Sequence, residues 1–417
     1  MKINETVRKD GLRIITCHVP QKKTVLVELI ARVGYACDPI NKPGLFHTLE
    51  HMVFEGTEKR TAKELSAFAS KNFFGNNAST GTLATTYEVT TIDRKFPLAC
   101  EYLCDIYFNA TIPVPGLKKE KGPILLEIAR KKDSDNSIGS MALNECLYKE
   151  NPSRCDGVGT SAGIGRIHRA DLIDQKNKWY IPSNTIALAV GNINHDDFVK
   201  EINKRIPLSL KKVSLCQWGD EANDPPVKKE MIIKKPKREK TMLFLGCKIP
   251  KNLDVRQEEA FSLFSKLIGR GFDSPLWHEI RERRGLAYSI QSNYSGIAGL
   301  SSRFIVYAET SQSKSSQVEK LIWQVLVKPL PDNGKFEELR EKVFNAFEVD
   351  VIENNELDYF EGLIWKKIVD GDPVKMAEQE DKKRLKAIAS LSLKDLEAVR
   401  KQFIRPERFA KVLIEPE

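Results

Sequence analysis

Gly44-Leu45-Phe46-His47-Thr48-Leu49-Glu50-His51-Met52-Val53-Phe54-Glu55-Gly56 reads as a short helix. Asn41 can cap its start, Pro43 suits the first turn, and Gly56 can end it in a left-handed conformation. Positions i and i+4 lie one turn apart on one helix face, so His47 and His51 point the same way, as two imidazoles must to share a metal. Glu50 follows His47 by three residues and can bring its carboxylate to the rim of that site. Leu45, Leu49, Met52 and Val53 are left to bury against a core. The order H-x-x-E-H inverts the zinc-peptidase order H-E-x-x-H, with the histidines as ligands and the glutamate as general base. The plainer alternative is an amphipathic core helix whose histidines are merely hydrogen-bonded. Three fixed residues match by chance in a chain this long at about the few-per-cent level. Only six His occur in 417 residues, and two are here. Support has to come from the rest of the chain.

The length suggests two or three domains with ample core. An apolar fraction of 41% and a charged fraction of 29% are those of a soluble globular protein. Thr24 to Cys37 is the most apolar stretch, and it holds Glu28 and Arg32, so no membrane span is expected. The start Met1-Lys2-Ile3-Asn4-Glu5-Thr6 lacks the apolar core of a signal peptide, and the cytoplasm is the expected location. The net charge of +9 is modest, and no basic face interleaved with aromatics is visible, which excludes nucleic acid as an expected partner. Eight Cys are scattered without C-x-x-C, so no ribbon or finger site is expected. Cys100 and Cys104 read as small buried hydrophobes, and free thiols fit a reducing compartment.

Residues 11 to 19 and 23 to 35 read as a hairpin or two neighbouring strands. Helices are expected over Thr61 to Lys71, Lys95 to Asn109, Leu117 to Lys132 and Ser140 to Lys149. Between the first two lie Thr-rich strands around Gly81, which suit a sheet edge with one wet face. In the helix after Leu117, Glu120 and Glu127 are seven residues apart and share a face. Glu127 stands among Ile124, Leu125, Leu126 and Ile128, where an unpaired carboxylate is costly. That points to a bound cation, or to a salt bridge with Arg130, Lys131 or Lys132. The Gly-rich loop from Gly157 to Gly165 lacks the Lys-Ser/Thr ending of a phosphate loop. Residues 208–228 change composition and read as a linker between domains 1–207 and 229–417. The second half repeats the element order of the first, which suggests an internal duplication. At the place of the His pair it carries Ala260-Phe261-Ser262-Leu263-Phe264, so only the first half is expected to bind metal.

With these residues in view, the chain resembles the inverted-motif zinc peptidases of the pitrilysin and mitochondrial-processing-peptidase family, family M16, in its short two-domain bacterial form. The motif His47-Thr48-Leu49-Glu50-His51 is followed 76 residues later by Glu127. The resemblance implies one Zn²⁺ per chain, held by His47, His51 and Glu127, with Glu120 supporting the site. Asn77-Ala78-Ser79-Thr80 is similar to the family's edge strand, which pairs with the substrate backbone. In Arg281-Glu282-Arg283-Arg284-Gly285-Leu286-Ala287-Tyr288, Arg281 and Tyr288 match the catalytic Arg and Tyr of the second domain. One departure is Gly122-Pro123, which interrupts the helix carrying both glutamates.

The implied fold is α+β, two homologous α/β-sandwich domains of about 200 residues each, forming one half-shell of a clamshell. The implied partners are a second copy or a related subunit, as a homodimer or heterodimer. The implied function is a zinc-dependent endopeptidase acting on unfolded peptides or presequence-like segments, with Glu50 as general base of a zinc-activated water. The alternative is a non-catalytic partner subunit of the same fold.

Overall fold

The computed structural model describes residues 2–295, 300–330, 334–349 and 375–417. It divides into two compact units. The first is built mainly from residues up to Arg130 and from Cys155–Gln217. The second takes Lys131–Arg154 and most described residues from Trp218 onward.

The first unit holds a six-stranded sheet of β1 (Lys2–Val7), β2 (Arg13–His18), β3 (Thr24–Ala31), β4 (Gly75–Thr80), β5 (Thr85–Ile92) and β6 (Thr185–Gly191). Their order is β1-β2-β6-β3-β5-β4. Only β2 and β6 run parallel; the other pairs are antiparallel. The expected hairpin or neighbouring pair of β2 and β3 is thereby corrected, because β6 lies between them. All seven β6 residues are buried, and its run of small and β-branched apolar residues suits a strand covered on both faces. The polar β1 escaped the sequence reading because an edge strand needs only one covered face.

Helices α1 (Leu45–Met52), α2 (Ala62–Asn72), α3 (Phe96–Asn109) and α4 (Val114–Asp133) follow in this unit. From α1, Leu45, Phe46, Leu49 and Met52 join Leu29, Tyr87 and Ile106 in the core. That leaves the face with His47 and His51 outside the core. Thr61 and Glu64 form a capping box that starts α2. The expected break at Gly122-Pro123 does not occur, and α4 runs through Pro123 for 20 residues. Pro123 and Gly122 lie on the exposed face, where water can satisfy the carbonyl the proline leaves without a donor.

The start of α1 also differs from expectation. The helix begins at Leu45, and Gly44 before it has φ 92°. Asp38, not Asn41, supplies the cap: its Oδ2 accepts from Gly44 N at 2.6 Å and its Oδ1 from Phe46 N at 2.9 Å. Burial pushes the Asp38 carboxyl up to about 7, and the amides of Phe46, Gly44 and Leu45 only partly oppose it.

The second unit holds β7 (Glu230–Lys235), β8 (Thr241–Ile249), β9 (Ala287–Ser295), β10 (Ser302–Thr310) and β11 (Phe409–Pro416). Their order is β7-β11-β8-β10-β9, with β7 and β11 parallel. Strand for strand this repeats β2-β6-β3-β5-β4, including the single parallel pair. The helix after β8, Val255–Gly269, takes the topological place of α1. There Ala260, Phe261, Leu263 and Phe264 are buried in the core. Helix α5 (Asp135–Leu147) comes from the first half of the chain but packs on the second sheet. Its Ala142, Leu143, Cys146 and Leu147 meet Phe244 and Val412.

Cys37 and Cys216 form a disulfide within the first unit, with Cα atoms 6.4 Å apart. This corrects the expectation of free thiols only. The other six cysteines are not in a disulfide. Burial pushes the Cys104 thiol up to about 12, in keeping with its reading as an inert core residue.

Two measurements follow. Thiol titration of the denatured, unreduced protein is expected to find six thiols, and eight after reduction; eight without reductant would remove the disulfide. For Asp38, a folded-state value near 7 against an ordinary 3.8 means that the fold retains a proton the unfolded chain has released. Its contribution to stability therefore falls as pH rises from about 4 to about 7 and is flat outside that window. In metal-free protein, Asp38→Asn is expected to flatten the pH dependence of Tm there, and an unchanged slope would refute the assignment.

Candidate metal centre

The i, i+4 spacing on α1 sets the His47 and His51 rings side by side, with centroids 4.8 Å apart and planes at 80°. Helix α4 brings two carboxylates to them. Glu127 Oε2 lies 3.0 Å from His47 Nε2, and Glu127 Oε1 lies 3.8 Å from His51 Nε2. Glu120 Oε2 lies 3.0 Å from His51 Nδ1. With Nδ1 as the donor to Glu120, a neutral ring would turn its Nε2 lone pair toward Glu127. One ligand atom each from His47, His51 and Glu127 fall within 4.8 Å of one another. Two imidazole nitrogens and a carboxylate oxygen in one such cluster are a donor set that suits Zn²⁺.

The surroundings of Glu127 differ from the sequence reading. Leu125 and Leu126 are exposed, Ile124 and Ile128 are buried, and the Glu127 side chain is 39% exposed. Helical geometry turns it away from its apolar neighbours and toward the histidines, so desolvation is no argument for a cation there.

Glu50 is 8% exposed, and two groups reach its Oε2. Thr80 Oγ1 donates at 2.5 Å, and the His47 ring Nδ1 lies at 3.4 Å. Burial works against a charged His47 ring, but the carboxylates of Glu50 and Glu127 outweigh it and shift His47 upward from 6.5. Burial likewise raises Glu120, yet its bonds to His51 and Lys119 bring it below the ordinary carboxylate value. Lys119 also binds Glu55 at 2.8 Å, which ties α4 to the turn that ends the motif.

Asn77, Ala78, Ser79 and Thr80 lie on β4, which pairs with β5 in the register Asn77↔Glu88 to Thr80↔Thr85. Alternation directs Asn76, Ala78 and Thr80 inward. Asn76 donates to the Tyr102 hydroxyl at 2.9 Å, and Ala78 packs on the core. Between β4 and α2 lies a cavity of about 610 Å³ lined by Leu65, Ala69, Phe73 and Phe74, with Glu50 and His51 in its wall.

Arg281 and Tyr288 belong to the second unit. Arg281 sits on a π-helical turn, Trp277–Glu282, with its guanidinium 4.0 Å over the Trp277 ring. It donates to the Tyr288 carbonyl. Gly285, at φ 60°, makes the turn that brings Tyr288 back along Arg281. Tyr288 is 59% exposed on β9, and Lys240 Nζ lies 3.8 Å from its ring centre. Asp38 is the residue that sequence reading missed. Its signal was an acid six residues before a glycine that opens a helix, a spacing longer than a standard cap.

The chain is similar to known proteins along most of its length. Residues 13–157 match the family model for insulinase, peptidase family M16, and residues 166–341 match the model for the peptidase M16 inactive domain. An uncharacterized zinc protease of Rickettsia bellii is 30% identical over 314 residues, covering 75% of this chain and 74% of its own length. The uncharacterized zinc protease YmxG of Bacillus subtilis is 26% identical over 320 residues, 76% of each chain. A protease from Helicobacter pylori superposes with a TM-score of 0.85 at 20% identity, covering 100% of this chain and 99% of its own. A peptidase M16 inactive domain from Pseudomonas fluorescens gives 0.84 at 17%, covering 100% and 98%. Two family models that together span most of the chain, and a zinc-protease relative along three quarters of it, show that the chain belongs to peptidase family M16, the insulinase family.

Proposed function

We propose that the chain is a zinc-dependent endopeptidase that hydrolyses peptide bonds in unfolded peptides or presequence-like segments. The observation that supports this most is the cluster of His47, His51 and Glu127 beside the nearly buried carboxylate of Glu50. A zinc ion held by those three residues supplies Lewis acidity, lowering the pKa of water and polarising a peptide carbonyl. Glu50 takes a proton from the attacking water as it adds to the scissile carbonyl, then delivers it to the departing amine. Glu120 holds the His51 ring in the tautomer that leaves Nε2 free to bind.

The open edge of β4 pairs with an extended substrate backbone at Asn77 to Thr80. The neighbouring cavity accepts an apolar substrate side chain. Arg281 and Tyr288, by family resemblance, stabilise the oxyanion that develops on the carbonyl. As they lie in the other unit, they serve the site from the same chain or from a second copy or related subunit. Among the described residues no helix is long and apolar enough to cross a membrane. A cytoplasmic location remains a proposal, and the Cys37–Cys216 pair weighs against it.

Purified protein is expected to hold one zinc per chain and to cut members of a peptide library in a chelator-sensitive way. Glu50→Gln keeps the zinc and loses about 10²–10⁴-fold in kcat, whereas His47→Ala and Glu127→Gln lose the zinc. A wild-type chain that holds zinc yet cuts nothing would favour the non-catalytic subunit instead. Zinc and protons compete for His47, so zinc affinity should fall as pH drops through a value above the ordinary 6.5. Mixing Glu50→Gln chains with Tyr288→Phe chains should restore activity if a site is completed between copies. No recovery would place the whole site in one chain.

A further inference from the structure

Thr80 closes the edge strand β4, and its inward hydroxyl ends on the carboxylate of Glu50 at 2.5 Å. Its backbone meanwhile pairs with Thr85 of β5. One residue thus belongs both to the strand proposed to receive the substrate and to the hydrogen-bonding shell of the proposed base. A threonine hydroxyl has a single proton to donate, and here it goes to Oε2. The His47 ring also approaches Oε2, at 3.4 Å. Oε1 is therefore the oxygen left to receive a proton from water. Without the hydroxyl, a carboxylate that is 8% exposed would keep only the longer His47 contact on Oε2, and it would turn toward the imidazole.

We propose that Thr80 is a positioning residue that couples the substrate-binding strand to the general base, orienting Glu50 so that one oxygen is anchored and the other is free for proton transfer. The role of Thr80 rests on the reading of Glu50 as base. It differs from backbone recognition of substrate, which any residue at the end of β4 would provide.

The test compares Thr80→Val, which keeps shape and loses the donor, with Thr80→Ser, which keeps the donor. The probe is one quenched-fluorescent peptide that the wild type cleaves, with bound zinc and Tm measured alongside. The expected result is a fall in kcat of about 10- to 100-fold for Thr80→Val, within the range that general-base catalysis contributes. KM and zinc content should stay within about twofold, and Thr80→Ser should recover most of the loss. A purely structural role would move Tm, or kcat and KM together, and Ser would not rescue it selectively. Wild-type kcat in Thr80→Val, alongside an inactive Glu50→Gln, would overturn the role of Thr80 and leave the base in place. Full activity in Glu50→Gln would overturn both. In the Glu50→Gln background, Thr80→Val should cost nothing further, and an additive loss would also count against the coupling.

Discussion

Glu127 lies 3.0 Å from the His47 ring, across the gap between two helices that are remote in sequence. A cluster of two imidazoles and a carboxylate exists only if α1 and α4 hold a fixed distance and rotation. Much of the first unit serves that requirement. Helix α1 is short, and short helices are marginal without help at their ends. Asp38 gives it that help by satisfying the Gly44 and Phe46 amides. Gly44 must be glycine: its φ is 92°, and a Cβ there would lie 2.7 Å from the Val158 carbonyl oxygen. At the other end α4 comes so close to the motif that a Cβ on Gly116 would lie 2.8 Å from the Glu55 carboxylate. Lys119 then bonds that same carboxylate.

The two sheets show how one topology carries different chemistry. Apart from β1, both have the same strand order and the same single parallel pair. In the first unit the helix after the central strand turns its histidines out of the core. In the second the equivalent helix fills its core with Phe261 and Phe264, which are fully buried. The fold depends on burial along many residues, whereas the metal cluster depends on a few side chains on one helix face. The segment Lys131–Arg154 complicates a simple duplication. Helix α5 leaves the first half and completes the apolar layer of the second sheet.

Several features are legible in the sequence. Spacing alone put His47 and His51 on one face and Glu120 and Glu127 on another, because helical periodicity is a local property. The His pair and the distant glutamate are what made the chain resemble its family, and the α+β duplication was visible in the order of elements. Other expectations failed for identifiable reasons. The apparent break at Pro123 rests on propensity, which cannot tell a solvent-facing turn from a buried one. The apolar letters around Glu127 suggested a buried carboxylate, but consecutive helical residues face different directions.

What this sequence determined by itself was local: which stretches are helix or strand, which side chains share a face, and which residue types could bind a metal. Tertiary structure alone decided which faces meet. It put β6 between β2 and β3, brought Asp38 back onto the start of α1, paired Cys37 with Cys216 and laid the Thr80 hydroxyl on Glu50. Each of these joins residues through the packing of whole elements. Such contacts leave no periodic trace in the chain, since their partners are chosen by what else must be buried.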